Sequence, residues 1–214
     1  MDYKTTEGRE SLRIPDGRIF SRVMRSPELC RGLLERVFPE MEISRVEYWE
    51  TEGIYSPTEA EGGLSLEVYR KDSPRICSVV LQAPRKEDFR RFYRYYNRLL
   101  LWRGISMAQG YPEETDLFVV FVCPEDPLGH GLRQYKIYTE CKQVPEWNLW
   151  ESNMMVVLNA AGKKGDVPPK LQAFLDYMAG QPVQGDPYID SLDQAVREVK
   201  ETMQPGASGT GSGQ

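Results

Sequence analysis

Apolar and polar residues alternate in three places along the chain, and each alternation predicts a half-buried strand. Val46 and Tyr48 alternate with Glu47 and Trp49 between Ile43 and Thr51; Leu64, Leu66 and Val68 alternate with Ser65, Glu67 and Tyr69; and Gln134 to Thr139 repeats the pattern. Two nearly continuous apolar runs, Ile76–Gln82 and Asp116–Cys123, suit central strands covered on both faces, the second of them parallel, and Asn153–Asn159 adds a further short strand. The turn residues of Arg70-Lys-Asp-Ser-Pro74 join the strands at 63–69 and 76–82 into a hairpin. Elsewhere the spacing is helical. Asp16 caps a short helix reaching Met24, and Ser26-Pro27-Glu28 opens a second, with Leu29, Leu33, Leu34 and Val37 on one face and Pro39 ending it. A helix over Lys86–Arg103 carries Phe89, Phe92, Tyr93, Tyr96, Leu99 and Leu100 on one broad face. Pro168-Pro169 opens a helix that Gly180 stops, and Asp186-Pro187 opens the last, with Ile189, Leu192, Val196 and Val199 in register. Residues up to about Ile14, the loops 53–63 and 124–131, and the Gly/Ser-rich tail 204–214 lack such periodicity.

This is an α/β pattern, and 214 residues with 40% hydrophobic and 28% charged content suit one sizeable domain spanning 12–203. A net charge of −5 gives no global attraction for nucleic acid, so any such binding rests on a local patch. The helix at 86–103 offers one. Arg90, Arg94 and Arg98 recur every fourth residue and form a stripe able to grip phosphates through bidentate guanidinium contacts. The structural alternatives are a solvated helix face, or arginines paired with the acids of the 50–61 loop. The cysteines Cys30, Cys77, Cys123 and Cys141 are widely spaced without a C-x-x-C pair, and Met1-Asp-Tyr-Lys opens with no leader-like apolar run. Both features predict reduced thiols in a cytoplasmic protein. The longest apolar run, Leu117–Cys123, is too short to span a membrane.

Several chemistries have little to work with. The one histidine, His130, lies in a Gly-His-Gly loop and reads as a surface residue rather than a metal ligand or triad member. Gly162-Lys-Lys-Gly165 lacks the framework of a phosphate-binding loop. Trp49, Trp102, Trp147 and Trp150 read as core or rim packing, with Trp147 and Trp150 an alternative contact for a protein partner or a second copy.

The segments Arg18-Ile-Phe-Ser-Arg-Val-Met-Arg-Ser-Pro-Glu-Leu-Cys30, Leu66-Glu-Val-Tyr69, Arg94-Tyr-Tyr96, Phe121-Val-Cys-Pro-Glu-Asp-Pro127, Phe174-Leu-Asp-Tyr177 and Val196-Arg-Glu-Val199 follow one another in a recognisable order. From about Leu12 to Met203 the chain resembles the PD-(D/E)XK nuclease family transposases, the Rpn-like recombination-promoting nucleases of bacteria. The resemblance implies a restriction-endonuclease-like core (helix, three-stranded sheet, helix, strand) with added strands and two C-terminal helices. It also implies a Mg²⁺- or Mn²⁺-dependent DNA endonuclease site with one acid on the first hairpin strand and an acid-x-Lys/Gln pair on the next.

Residue by residue, the resemblance assigns Glu67 as metal ligand and catalytic acid and Gln82 as the residue positioning water or phosphate. The departures fall on the chemistry. Where the family has Leu-Asp-Val-Tyr, this chain has Leu66-Glu67-Val68-Tyr69, which keeps the charge one methylene further out. Where the family has Asp-Ile-Glu-Met-Gln, this chain has Ser78-Val79-Val80-Leu81-Gln82, so the central acid is Val80. The family's N-terminal acidic pair is halved to Asp16-Gly17. Such sites use the metal to lower the pKa of the attacking water and to stabilise the phosphate charge, and Mg²⁺ takes one or two protein carboxylates. Two readings follow: a catalytically impaired descendant acting as a DNA-binding or interaction module, or an active endonuclease that recruits Glu35, Glu50 or Glu52 in place of the missing acid.

Overall fold

The computed structural model describes residues 14, 16–48, 63–71, 76–106, 115–138, 143–144 and 153–202. The first helices begin at the predicted caps. Asp16 accepts the Arg18 amide at 3.0 Å to open α1 (Gly17–Val23), and Ser26 Oγ accepts the Leu29 amide at 3.3 Å to open α2 (Pro27–Val37). Among the described residues six strands follow: β1 (Ile43–Tyr48), β2 (Gly63–Arg70), β3 (Ile76–Gln82), β4 (Thr115–Cys123), β5 (Gln134–Ile137) and β6 (Asn153–Asn159). α3 (Phe89–Ser106) lies between β3 and β4, and α4 (Pro169–Met178) and α5 (Pro187–Thr202) follow β6.

All six strands share one sheet in the order β1-β2-β3-β4-β6-β5. β1, β2 and β3 form an antiparallel meander, β3, β4 and β6 run parallel, and β5 returns antiparallel along the outer side of β6. Asp116–Cys123 is therefore the central parallel strand that its apolar run predicts. The added strands do not form a separate layer: β6 extends the same sheet next to β4. Chain order and sheet order part at this point, because β6 lies between β4 and the earlier β5.

The alternation of strand side chains divides the core in two. On one face Leu64, Leu66, Val68, Val79, Leu81, Val120, Val122 and Val156 pack under α1, α2, α4 and α5, with Phe20, Leu33, Leu34, Phe174 and Leu192 buried among them. On the other face the first turns of α3 place Phe89, Phe92 and Tyr96 against Val119, Phe121, Tyr135, Met155 and Val157. Phe121 receives the edges of both Phe89 and Tyr96, with ring centroids 5.2 Å and 5.8 Å away. The helix starts at Phe89 rather than Lys86 because residues 86–88 form a turn in which the Asp88 and Phe89 amides both bond Arg85 carbonyl oxygen. β5 stops at Ile137, two residues before the predicted end, and Tyr138 follows as exposed irregular backbone.

The loop after β4 closes on Asp126. Its carboxylate accepts the Leu128, Gly129 and Gly131 amides and the Tyr135 hydroxyl at 2.6–3.0 Å. Burial acts to raise its pKa, but the three amides and the hydroxyl outweigh it and hold the group below its ordinary 3.8. A depressed folded value means that this stabilisation is complete above the unfolded pKa and is lost as pH falls through the folded one. Urea titrations between about pH 6 and pH 3 should show stability falling with acid, and Asp126→Asn should shallow that fall while costing about 1–3 kcal/mol at neutral pH.

Candidate functional site

Glu67 lies in the middle of β2, half-buried, on the sheet face that carries α3. The antiparallel register puts Glu47 of β1 directly beside it and Ser78 of β3 on the other side. Tyr69, two residues along the same face, brings its hydroxyl to 3.0 Å from Glu67 Oε2 and 3.1 Å from Glu47 Oε2. A phenol carries one proton, so Tyr69 donates to one carboxylate at a time. Arg45 completes the group: its Nε donates to Glu47 Oε1 at 2.7 Å and its guanidinium lies 3.7 Å from the Tyr69 ring centroid. That bond from Arg45 holds Glu47 below the ordinary carboxylate value, and the bond to Glu67 is the largest of the influences raising Tyr69. Arg45 and Glu47 are open to water, so the cluster is a polar patch on an uncovered part of the sheet.

The other assigned residues fall elsewhere. Val80 stands opposite Ser65 and Gln82 opposite Gly63. Gln82 therefore shares a face with Glu67 but sits four residues further along the hairpin, about 13 Å at 3.3 Å per residue. Among the described residues no three His, Cys, Asp or Glu side chains converge as a metal-holding group. Along the strands the backbone positions of Glu67 and Gln82 are therefore well separated. Of the acids considered as replacements, Glu35 pairs with Arg31 at 3.6 Å on α2, which puts the sheet between it and Glu67. Glu50 and Glu52 lie outside the described residues. Glu47, Arg45 and Tyr69 are the neighbours that sequence reasoning missed. The signal was present in the β1 alternation, since Val46 facing the core obliges Glu47 to face away from it.

Arg90 and Arg94 are both exposed on the side of α3 away from Phe89, Phe92 and Tyr96. Arg98 continues the row one turn on by its backbone position. Arg91 lies over the Phe92 ring and pairs with Asp88 at 3.5 Å, and Lys86 pairs with Glu125 at 3.6 Å. The 50–61 acids weighed as partners of the stripe lie outside the described residues, as do Trp147, Trp150 and the tail 204–214. His130 is exposed in its loop. No helix among the described residues is long and apolar enough to cross a membrane.

No known family model, curated protein or solved structure matches the chain.

Proposed function

We propose that the chain is a restriction-endonuclease-like protein, related to the PD-(D/E)XK nuclease transposases and impaired in metal-dependent cleavage, that acts as a DNA-binding or interaction module. The element order α2, β1, β2, β3, α3, β4 supports the fold assignment, since it is an antiparallel meander followed by a helical crossover to a parallel strand. One observation carries the functional reading: Glu67 faces Glu47, Tyr69 and Ser78, while Val80 takes the central acid's place and Gln82 lies four residues beyond. A carboxylate bonded to a phenol, beside a second one already paired with Arg45, is a poor start for a site that must hold Mg²⁺ and activate water. The buried free thiols Cys30, Cys77 and Cys123 fit a reducing cytoplasm.

The test is incubation of purified protein with supercoiled plasmid in Mg²⁺ and then Mn²⁺, beside Glu67→Ala. Neither protein should nick above the buffer control. Nicking by the native chain that the substitution abolishes would reverse the reading. One observation favours that second outcome, because Glu47 brings a second carboxylate oxygen to the same phenol as Glu67. An active site of that kind would need Glu47 as its recruited acid, and Glu47→Ala would then abolish nicking too.

A further inference from the structure

We infer that the outer face of α3 is a nucleic-acid contact that grips successive phosphates of one strand without reading bases. This rests on the DNA-binding reading above and adds the surface and the mode of contact. Between Arg85 and Arg103 there are seven cations against Glu87 and Asp88 alone, a surplus of five on a chain whose net charge is −5. The rest of the chain is therefore net acidic, and this stretch carries a local positive surplus.

The geometry is ordered as well as charged. Arg90, Arg94 and Arg98 recur every four residues, about 6 Å of rise along the helix per step. That forms a row of cations comparable in pitch with a run of phosphates, and a guanidinium fork matches phosphate oxygens bidentately. Arg90 and Arg94 are exposed, and neither forms an ion pair with another described residue. Lys86 and Arg91 are already matched with Glu125 and Asp88, so the row is the part left for a ligand.

The same surface argues against an acidic protein as the occupant. Stable protein interfaces are anchored by buried apolar and aromatic side chains. The exposed large apolar side chains among the described residues, Leu128, Leu132, Tyr138 and Val144, all lie outside α3. Of the described aromatic rings of α3, Phe89, Phe92 and Tyr96 are buried against Phe121 and its neighbours, and Tyr93 and Tyr95 are partly buried beside them. A polar, positive surface of this kind is the composition of a nucleic-acid interface. The first turns of α3 pack on β4 and β6 through Phe89, Phe92 and Tyr96, which leaves Arg90 and Arg94 on the outer side, where side chains can meet a phosphate backbone.

The experiment uses the full chain in EDTA, so that cleavage cannot intrude, with a fluorescein-labelled duplex of about 20 base pairs in two unrelated sequences and a salt titration from about 50 to 200 mM. The native chain should bind both sequences equally. Arg90→Ala/Arg94→Ala should weaken both about tenfold or more and reduce the slope of log Kd against log salt by about 1.8, near 0.9 for each contact removed. Arg22→Ala, which removes an exposed cation from α1 on the opposite side of the sheet, should change neither. The urea midpoint of each variant should match the native chain, since the substituted side chains are exposed. Native binding that the double variant leaves intact would overturn the assignment to α3 while leaving DNA binding standing. Equal losses in the Arg22 variant would reduce the effect to net charge and overturn it as well. No duplex binding at low salt would overturn both the inference and the DNA reading, and an arginine-dependent affinity for polyglutamate in its place would move the face to an acidic protein.

Discussion

Replacing Asp186 with Ala is expected to lower the unfolding free energy by about 3–5 kcal/mol, because it strands a buried guanidinium. Arg36 on α2 donates from Nη2 to both Asp186 oxygens at 2.7 and 2.9 Å and from Nη1 to the Gly32 carbonyl at 3.2 Å. Its guanidinium lies 3.9 Å from the Tyr188 ring centroid, and its side chain is only 9% exposed. Arg36 Nε already has no hydrogen-bond partner, so the group has no spare interactions to fall back on. Asp186 is also the cap of α5, accepting the Tyr188 amide at 3.0 Å. One carboxylate thus fastens α5 to α2 and starts the helix. Asp186→Asn keeps a capping oxygen and loses the charge, so it should fall between native and Ala. Urea denaturation checks this: the midpoint should drop with the m-value unchanged. A loss under about 1 kcal/mol for Ala would mean that water reaches Arg36 and the pair behaves as a surface bridge.

Gly162→Ala should be the next most damaging change, at about 3 kcal/mol from overpacking together with lost buried hydrogen bonds. A methyl there would stand 2.5 Å from the Leu132 carbonyl oxygen and 2.8 Å from Arg133 Cα, and backbone cannot swing aside as a flexible side chain can. The surrounding bonds are mutually dependent. Asn159, fully buried, donates from Nδ2 to the Leu132 carbonyl at 2.8 Å and accepts the Ala161 amide at 3.1 Å. Arg133 donates its amide to the Lys164 carbonyl, and the Lys163 and Lys164 amides both reach the Gly131 carbonyl. Pushing Leu132 outward breaks this set and loosens β5, which follows at Gln134. Hydrogen exchange separates local from global damage: amides of β5 should lose protection while those of α1 and α2 keep theirs. Uniform loss across the chain would mean that the contact supports the whole sheet.

Much of the architecture was legible in residue order. The caps Asp16, Ser26 and Asp186 each mark a helix start, and the two apolar runs mark strands that the sheet places side by side and parallel. Periodicity reports which face a residue takes, so Val46 inward and Glu47 outward follow from it. It does not report what stands opposite. The pairing of Glu47 with Glu67, and of Gln82 with Gly63 rather than Glu67, depends on how the chain registers across 49–62 and 72–75, which no local pattern encodes. The exposure of Arg94 was likewise open in the sequence, where it lies between Tyr93 and Tyr95. It is settled by the packing of Phe89, Phe92 and Tyr96, which turns Arg90 and Arg94 outward.

The insertion of β6 between β4 and the earlier β5 also has a consequence for synthesis. As the chain leaves the ribosome, β1, β2, β3 and β4 can assemble in the order they are made, but β5 cannot join the sheet on arrival, because its neighbour has not been translated. Until residues 153–159 emerge, β4 presents an unpaired edge on an almost wholly apolar strand, the kind of edge that recruits another chain. The late strand therefore both completes the sheet and closes its most adhesive edge, and the nascent protein carries that liability for the whole of the stretch from β4 to β6.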